Sequence, residues 1–217
     1  MSNSFAGRTV MITGAKGNLG RALAEAFEQR GAEVVPVDLP TNLLDQAQVD
    51  AVVRKAIQDF KRIDVLCNIA GGFRMGRSVH ETTDADWNFL MDLNARTVLH
   101  TARAVVPHMI AAGGGRIVNV GAFAAQKGAA NMGAYIASKS AVMRLTETMA
   151  AELREKNINV NCVLPTIIDT PANRADMPKA DPKRWVAPAD LANVIVFLCS
   201  DEARAIHGAT LPVTGLS

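Results

Sequence analysis

Short runs of β-branched and aliphatic residues alternate along the chain with longer stretches of helical period, and this alternation admits few folds. Arg8–Thr13 reads as a strand. The segment after it carries Leu19, Leu23 and Phe27 at four-residue spacing and closes at Gly31, which reads as an amphipathic helix. Glu33–Val37 is a second strand, Asp45–Phe60 a helix and Asp64–Asn68 an apolar strand. Beyond a loop at 72–83, a helix runs from Asp84 to near Ala111 and stops before Gly113-Gly114-Gly115. Arg116–Val120 is a strand, Met132–Lys156 a helix, Ile158–Leu164 a strand, Pro188–Ser200 a helix and Ala209–Val213 the last strand. Such alternation predicts an α/β fold, a doubly wound parallel sheet with helices on both faces. Continuous apolar strands fit burial on both sides.

With 217 residues and no repeat, low-complexity stretch or linker, residues 1–217 read as one domain. The gap between Val37 and Asp45 is too short for a further helix-and-strand crossover, which needs at least ~10–12 residues. The edge strand beyond the second strand is therefore expected to be absent or vestigial. A formal charge of +2 with scattered basic residues excludes an electrostatic case for nucleic acid or a membrane surface. No apolar run reaches the ~20 residues of a spanning helix, and Met1–Gly7 lacks a signal pattern. Cys67, Cys162 and Cys199 lie in apolar segments without ligand spacing, and His80, His100, His108 and His207 form no ligand pattern. The expectation is a cytoplasmic chain with reduced, buried thiols and no metal.

Directly after the first strand comes Thr13-Gly14-Ala15-Lys16-Gly17-Asn18-Leu19-Gly20, leading into a helix. Glycines let a backbone turn tightly against a pyrophosphate, whose charge is held by N–H groups at the helix start. This context makes the sheet Rossmann-type and Gly14, Lys16 and Gly17 cofactor-binding positions. Asp38 ends the second strand, where a carboxylate can accept hydrogen bonds from an adenosine ribose and repel a 2′-phosphate. Lys16 pulls the other way, but a bidentate carboxylate contact outweighs a mobile lysine. NAD(H) is thus the expected cofactor and NADP(H) the less favoured one.

Tyr135-Ile136-Ala137-Ser138-Lys139 puts a phenol and an ammonium on one face of a helix. A nearby cation stabilises phenolate, lowering a pKa near 10 toward a range useful for proton exchange. Thr13–Gly20, Asn68-Ile69-Ala70-Gly71, Asn94, Gly115–Val120, Tyr135 with Lys139, and Pro165 stand in the order and spacing of the short-chain dehydrogenase/reductase family. The chain resembles that family over essentially its whole length. The resemblance implies hydride transfer between a nicotinamide cofactor and a small-molecule substrate. It makes Tyr135 the proton donor or acceptor, and has Lys139 hold the nicotinamide ribose and lower the tyrosine pKa. Asn94 would anchor a water relaying protons to Lys139. Asn18 and Leu19 would lie along the pyrophosphate, and Asn42 and Leu43 would flank adenine. Asn68, Ala70 and Gly71 would line the adenosine side. Pro165 is counted with the cofactor-binding positions, Ile168 would meet the carboxamide through its backbone, and Thr170 the phosphates or carboxamide. The Ala- and Met-rich faces of the two long helices, near 84–111 and 132–156, exceed what one sheet face can cover, and with the resemblance they imply a homodimer or homotetramer.

Four positions depart from the family pattern: Asn18 replaces a middle glycine, Asn42 an aspartate, Thr166 a glycine and Ala122 a serine. The first should leave the loop intact, because asparagine tolerates positive φ and can bond locally. The last is chemical, because alanine cannot donate a hydrogen bond to a substrate carbonyl, a loss worth ~10²–10³ in rate when uncompensated. Asp169-Thr170-Pro171-Ala172-Asn173-Arg174 with Met177-Pro178 resembles the loop of quinonoid dihydropteridine reductase, which also has alanine at that position. A quinonoid imine is already electrophilic and needs a hydride and a proton more than polarisation. Met177 and Trp185 would then form an apolar lid over a flat substrate. The alternatives are a carbonyl or alcohol dehydrogenase in which Gln126 replaces the hydroxyl, and a non-catalytic dinucleotide sensor or scaffold.

Overall fold

A computed structural model describes residues 4–217. Every residue of β1 (Thr9–Thr13) is buried, as an apolar strand in the middle of a covered sheet requires. With β2 (Glu33–Val37), β3 (Val65–Asn68), β4 (Gly115–Val120), β5 (Ile158–Pro165) and β6 (Thr210–Val213) it forms a six-stranded sheet. The order is β2-β1-β3-β4-β5-β6 and every pairing is parallel. β2 is an edge, and among the described residues no strand lies beyond it. Pro36 sits in this strand, where its missing N–H costs no ladder bond on the open side.

The helices cover both faces. α1 (Asn18–Glu28) buries Leu19, Leu23 and Phe27 against one face, in a core shared with Leu191, Ile195 and Leu198 of α7 (Pro188–Cys199). α2 (Gln46–Phe60) starts at Asp45, whose carboxylate accepts from the N–H groups of Ala47 and Gln48. It packs on the opposite face, where Val53 joins a core with Met11, Val105, Ile117 and Ile158. α3 (Asp84–Met91), α4 (Thr97–Ala111), α5 (Gly133–Leu153) and the short α6 (Pro171–Asp176) complete the set.

One predicted helix is two. Between α3 and α4 lies a single π-turn, Asp92–Arg96, instead of an unbroken helix from Asp84 to Ala111. The wider turn carries Asn94 into the interior, where its amide is hydrogen-bonded on both sides. Periodicity has no term for such an insertion.

The chain reverses its winding between β1 and β3: β2 lies on one side of β1, and β3 on the other. Ligands of doubly wound sheets bind in the crevice at this reversal, outside the carboxyl ends of the strands. Gly14, Ile69, Gly121 and Thr166 directly follow the four central strands at that end.

Candidate active site

The turn after β1 is shaped by contact with backbone. A Cβ on Gly20 would lie 2.2 Å from the Gly14 carbonyl oxygen, and one on Gly14 would lie 2.9 Å from the Ala70 nitrogen. Gly14 has a φ of 68° and is the loop's left-handed residue. Asn18 does not adopt the positive φ expected of it; it opens α1 as an ordinary helical residue, so the missing glycine costs the turn nothing. Gly17 is the N-cap and offers no side chain to the first turn of α1. The first N–H groups are left to face the turn, an arrangement that suits a pyrophosphate. Leu19 is buried in the core, so only its backbone reaches this site.

Asp38 is fixed across the turn. Its carboxylate accepts from Lys16 N at 2.8 Å and from Leu39 N at 2.8 Å. The Lys16 ammonium donates to the Leu39 carbonyl at 2.7 Å, which ties it down beside that carboxylate. Asn42 uses its side-chain oxygen on Leu44 N at 3.0 Å in a local turn, and Leu43 is held through its carbonyl by His100 Nδ1 at 3.0 Å.

Asn68 takes a different part from the one expected. Its amide donates to Asn119 Oδ1 at 2.8 Å and its oxygen accepts from Thr101 at 2.8 Å, while Asn119 donates to Thr146 at 2.9 Å. This closed polar network lies under the sheet end and joins β3, β4, α4 and α5; only the Asn68 backbone is available at the adenosine side. Thr13 Oγ accepts from the N–H groups of Ile69 and Ala70, which holds the Asn68–Gly71 segment against the glycine turn. That role of Thr13 was missed in the sequence, because a threonine ending a strand has an ordinary β propensity to explain it.

Tyr135, Lys139 and Asn94 come together on α5 and the π-turn. Asn94 accepts from Gly72 N at 2.9 Å and donates to Gly72 O at 3.1 Å and Ser138 Oγ at 3.0 Å. Ser138 in turn donates to the Tyr135 carbonyl at 2.7 Å. Gly71 fits between these groups: a Cβ there would lie 2.8 Å from Asn94 Oδ1 and 3.1 Å from Lys139 Nζ. The Phe73 ring meets Tyr135 edge-on, with centroids 4.9 Å apart. Ser138 and Phe73 escaped the sequence reading, although Ser138 stands at the i+3 position that shares the face of Tyr135.

The electrostatics differ from expectation. Lys139 Nζ donates to the Val120 carbonyl at 2.8 Å and not to the phenol. Burial pushes the Tyr135 phenol up to about 12 and the Lys139 ammonium down to about 8. Burial thus shifts both groups toward their neutral forms, although the ammonium still holds its proton at pH 7, and the anticipated lowering of the tyrosine pKa is absent from this geometry.

Ala122 is buried among Ala95, Val142, Met143, Cys162 and Leu164. Gln126 does not supply the missing hydroxyl from the adjacent turn; it is exposed and its amide faces the Phe123 carbonyl at 3.4 Å. Pro165 ends β5, and Thr166 bonds Thr214 O and Ser217 Oγ, using its extra hydroxyl to fasten the last residues of the chain. Ile168 pairs with Val186 in an isolated parallel bridge, and its carbonyl accepts from Asn173 at 2.7 Å. Thr170 caps α6 by accepting from Asn173 N. Trp185 is buried, so it belongs to the floor of this loop and not to an apolar lid.

The family model described as "Enoyl-(Acyl carrier protein) reductase" matches residues 5–215. The chain belongs to the short-chain dehydrogenase/reductase family. Among its curated relatives, 3-oxoacyl-(acyl-carrier-protein) reductase FabG of Thermotoga maritima is 32% identical, over 96% of this chain and 97% of the relative. The 2-dehydro-3-deoxy-D-gluconate 5-dehydrogenase of Escherichia coli is 31% identical, over 98% and 96%. The crystal structure of carveol dehydrogenase from Mycobacterium avium in complex with NAD superposes with a TM-score of 0.89 at 27% identity, covering 98% of each chain. This chain is therefore a short-chain dehydrogenase/reductase-type oxidoreductase. Among the described residues, no helix is long and apolar enough to cross a membrane, and no cluster of potential ligands is assembled for a metal.

Proposed function

We propose that this chain is an NAD(H)-dependent reductase that gives a hydride and a proton to a small, already electrophilic substrate, such as a quinonoid dihydropterin or a related imine. Ala122 carries this reading. It occupies the family's serine position, is packed in the core, and is not compensated by Gln126. A substrate with its own electrophilic C=N bond has least need of the lost donor.

Bound NAD(H) supplies the hydride. Asn18 offers its main-chain N–H to the pyrophosphate at the start of α1, with the Leu19 backbone beside it, while Gly14, Lys16 and Gly17 shape the turn through their own N–H bonds to Val37 O, the Asp38 carboxylate and Gly14 O. Asp38 takes the adenosine ribose, and its charge, held in place by two backbone donors, favours NAD over NADP. Asn42 and Leu43 flank the adenine; Asn68, Ala70 and Gly71 line the adenosine side through their backbones. Lys139 holds the nicotinamide ribose, and Pro165, Ile168 and Thr170 form the carboxamide side. Tyr135 hands over the proton from its phenol oxygen. Asn94, its side chain spent on Gly72 and Ser138, positions the two segments that carry the reacting groups.

In this reading residues 1–217 act as one domain built on the single sheet, and the chain works in the cytoplasm, which its three buried free cysteines suit. Exposed Trp87, Phe89, Leu99 and Ile110 on α3 and α4 suit burial in a homodimer or homotetramer.

The test is NADH oxidation with chemically generated quinonoid dihydropterin. Turnover with NADH well above that with NADPH is expected, and Asp38→Ala should erode the cofactor preference by at least about tenfold. Turnover confined to ketones or alcohols would overturn the substrate assignment, and a preference for NADPH would overturn the role of Asp38.

A further inference from the structure

The loop between β3 and α3 is fastened at two points, Gly72 on the Asn94 amide and Gly76 N on the Asn131 carbonyl at 2.8 Å. Between and just beyond them it carries Phe73, Arg74 and Arg77. The loop forms one wall of a cavity of about 130 Å³ whose opposite wall is the start of α5, ending at Tyr135 itself. That volume holds roughly four water molecules, enough for one small functional group.

The charges on this wall are unequal. Asp86 is the one carboxylate among the lining residues, against the guanidinium groups of Arg74 and Arg77. Asp86 is already shared: one oxygen accepts from Arg74 Nη1 at 3.0 Å, and the other from Thr83 Oγ at 2.9 Å. Both contacts, with Arg77 adding its field, hold the Asp86 carboxyl below the usual range, so it stays ionised without cancelling both arginines. Arg74 is also stacked on Phe89, its guanidinium carbon 4.1 Å from the ring centroid, which fixes its plane. Arg77 has no hydrogen-bonded carboxylate among the described residues. A guanidinium has five donors in a planar fork, and here most of them are unspent.

We infer that the substrate of this enzyme carries a small oxyanion, a carboxylate or a phosphate, which Arg77 and Arg74 receive in the cavity beside Tyr135 while the reacting atom lies at the phenol. The inference rests on the proposed role of Tyr135 as the proton donor, and within the substrate class that follows from Ala122 it selects members that carry an acid group, such as a quinonoid dihydropterin with an acidic side chain.

The test measures binding, so it does not depend on turnover. Ligand-observed NMR titrations of the full chain with NADH present would use 4-oxopentanoate and its methyl ester, and 2-oxopropylphosphonate and its dimethyl ester. Each pair shares a carbonyl and differs in charge. At least one anion should bind about tenfold more tightly than its ester, and the advantage should collapse in Arg77→Gln and return in part in Arg77→Lys. A preference confined to the carboxylate or to the phosphonate identifies the anion. Equal binding of acid and ester, no binding of either anion, or a preference unchanged in Arg77→Gln overturns the inference. Unaltered circular dichroism and NADH affinity in Arg77→Gln separate a lost contact from a lost fold. If Tyr135→Phe keeps full turnover while the charge preference stands, the proposed chemistry fails and the anion site survives it.

Discussion

Lys139 is placed where little water reaches its charge, with the Val120 carbonyl as its hydrogen-bond acceptor. Its folded pKa of about 8 lies below the ordinary 10.5, so between those values the unfolded chain holds a proton that the folded chain has released. Stability therefore rises with pH across that window, and the cost of the buried charge is fully present below pH 8. In urea unfolding of the cofactor-free protein, wild type should gain up to about 3 kcal/mol relative to Lys139→Met between pH 7 and 10. A pH-independent difference would show that the ammonium is solvated. Tyr135 acts in the opposite sense, since its raised pKa supports the fold below pH 10 and that support is lost as pH climbs through about 12. The Tyr135 and Lys139 pair was legible in the sequence because i,i+4 spacing is a local property of a helix. The direction of their pKa shifts was not legible, because it depends on burial contributed by segments distant in sequence.

At the scale of elements, the turn from β1 into α1 and the π-turn do most to place the chemistry. The turn was legible, since strand, glycines and helix follow one another in sequence; the innocence of Asn18 was not, because which residue would need positive φ depends on the exact helix start. Gly20→Ala puts a methyl group against the Gly14 carbonyl and Ala15 backbone, atoms that cannot yield without moving the turn. It should destabilise the fold by about 1–3 kcal/mol in denaturant melts and raise the NADH Kd, measured by fluorescence titration. Unchanged affinity would exclude this turn from the cofactor site. The π-turn was invisible because it is sustained by tertiary bonds from Asn94 to Gly72 and Ser138. Asn94→Ala strands the Gly72 N–H and should cost about 1–3 kcal/mol, with a fall in kcat larger than any change in NADH Kd. Asn68 shows the converse: its motif position was read as cofactor-lining, yet its side chain is part of the buried scaffold.

For the molecule as a whole, strand order explains why these parts meet. The reversal between β1 and β3 opens a crevice with the glycine turn on one side and the Asn68–Gly71 segment on the other, and α5 brings Tyr135 and Lys139 toward it. The short link after β2 leaves that strand as the edge, which the spacing of Val37 and Asp45 had indicated. The exposed apolar residues of α3 and α4 predict a dimer or tetramer in sedimentation velocity, shifted toward monomer by Leu99→Glu; a monomeric wild type would contradict this. The central claim is that the crevice is a hydride-transfer site in which the Tyr135 phenol provides the proton. It is tested most directly by measuring NADH oxidation and NADH binding side by side in wild type and Tyr135→Phe, with quinonoid dihydropterin as acceptor. The account predicts a fall in kcat of about 10²–10⁴ with NADH affinity nearly unchanged. Undiminished turnover in Tyr135→Phe would contradict it.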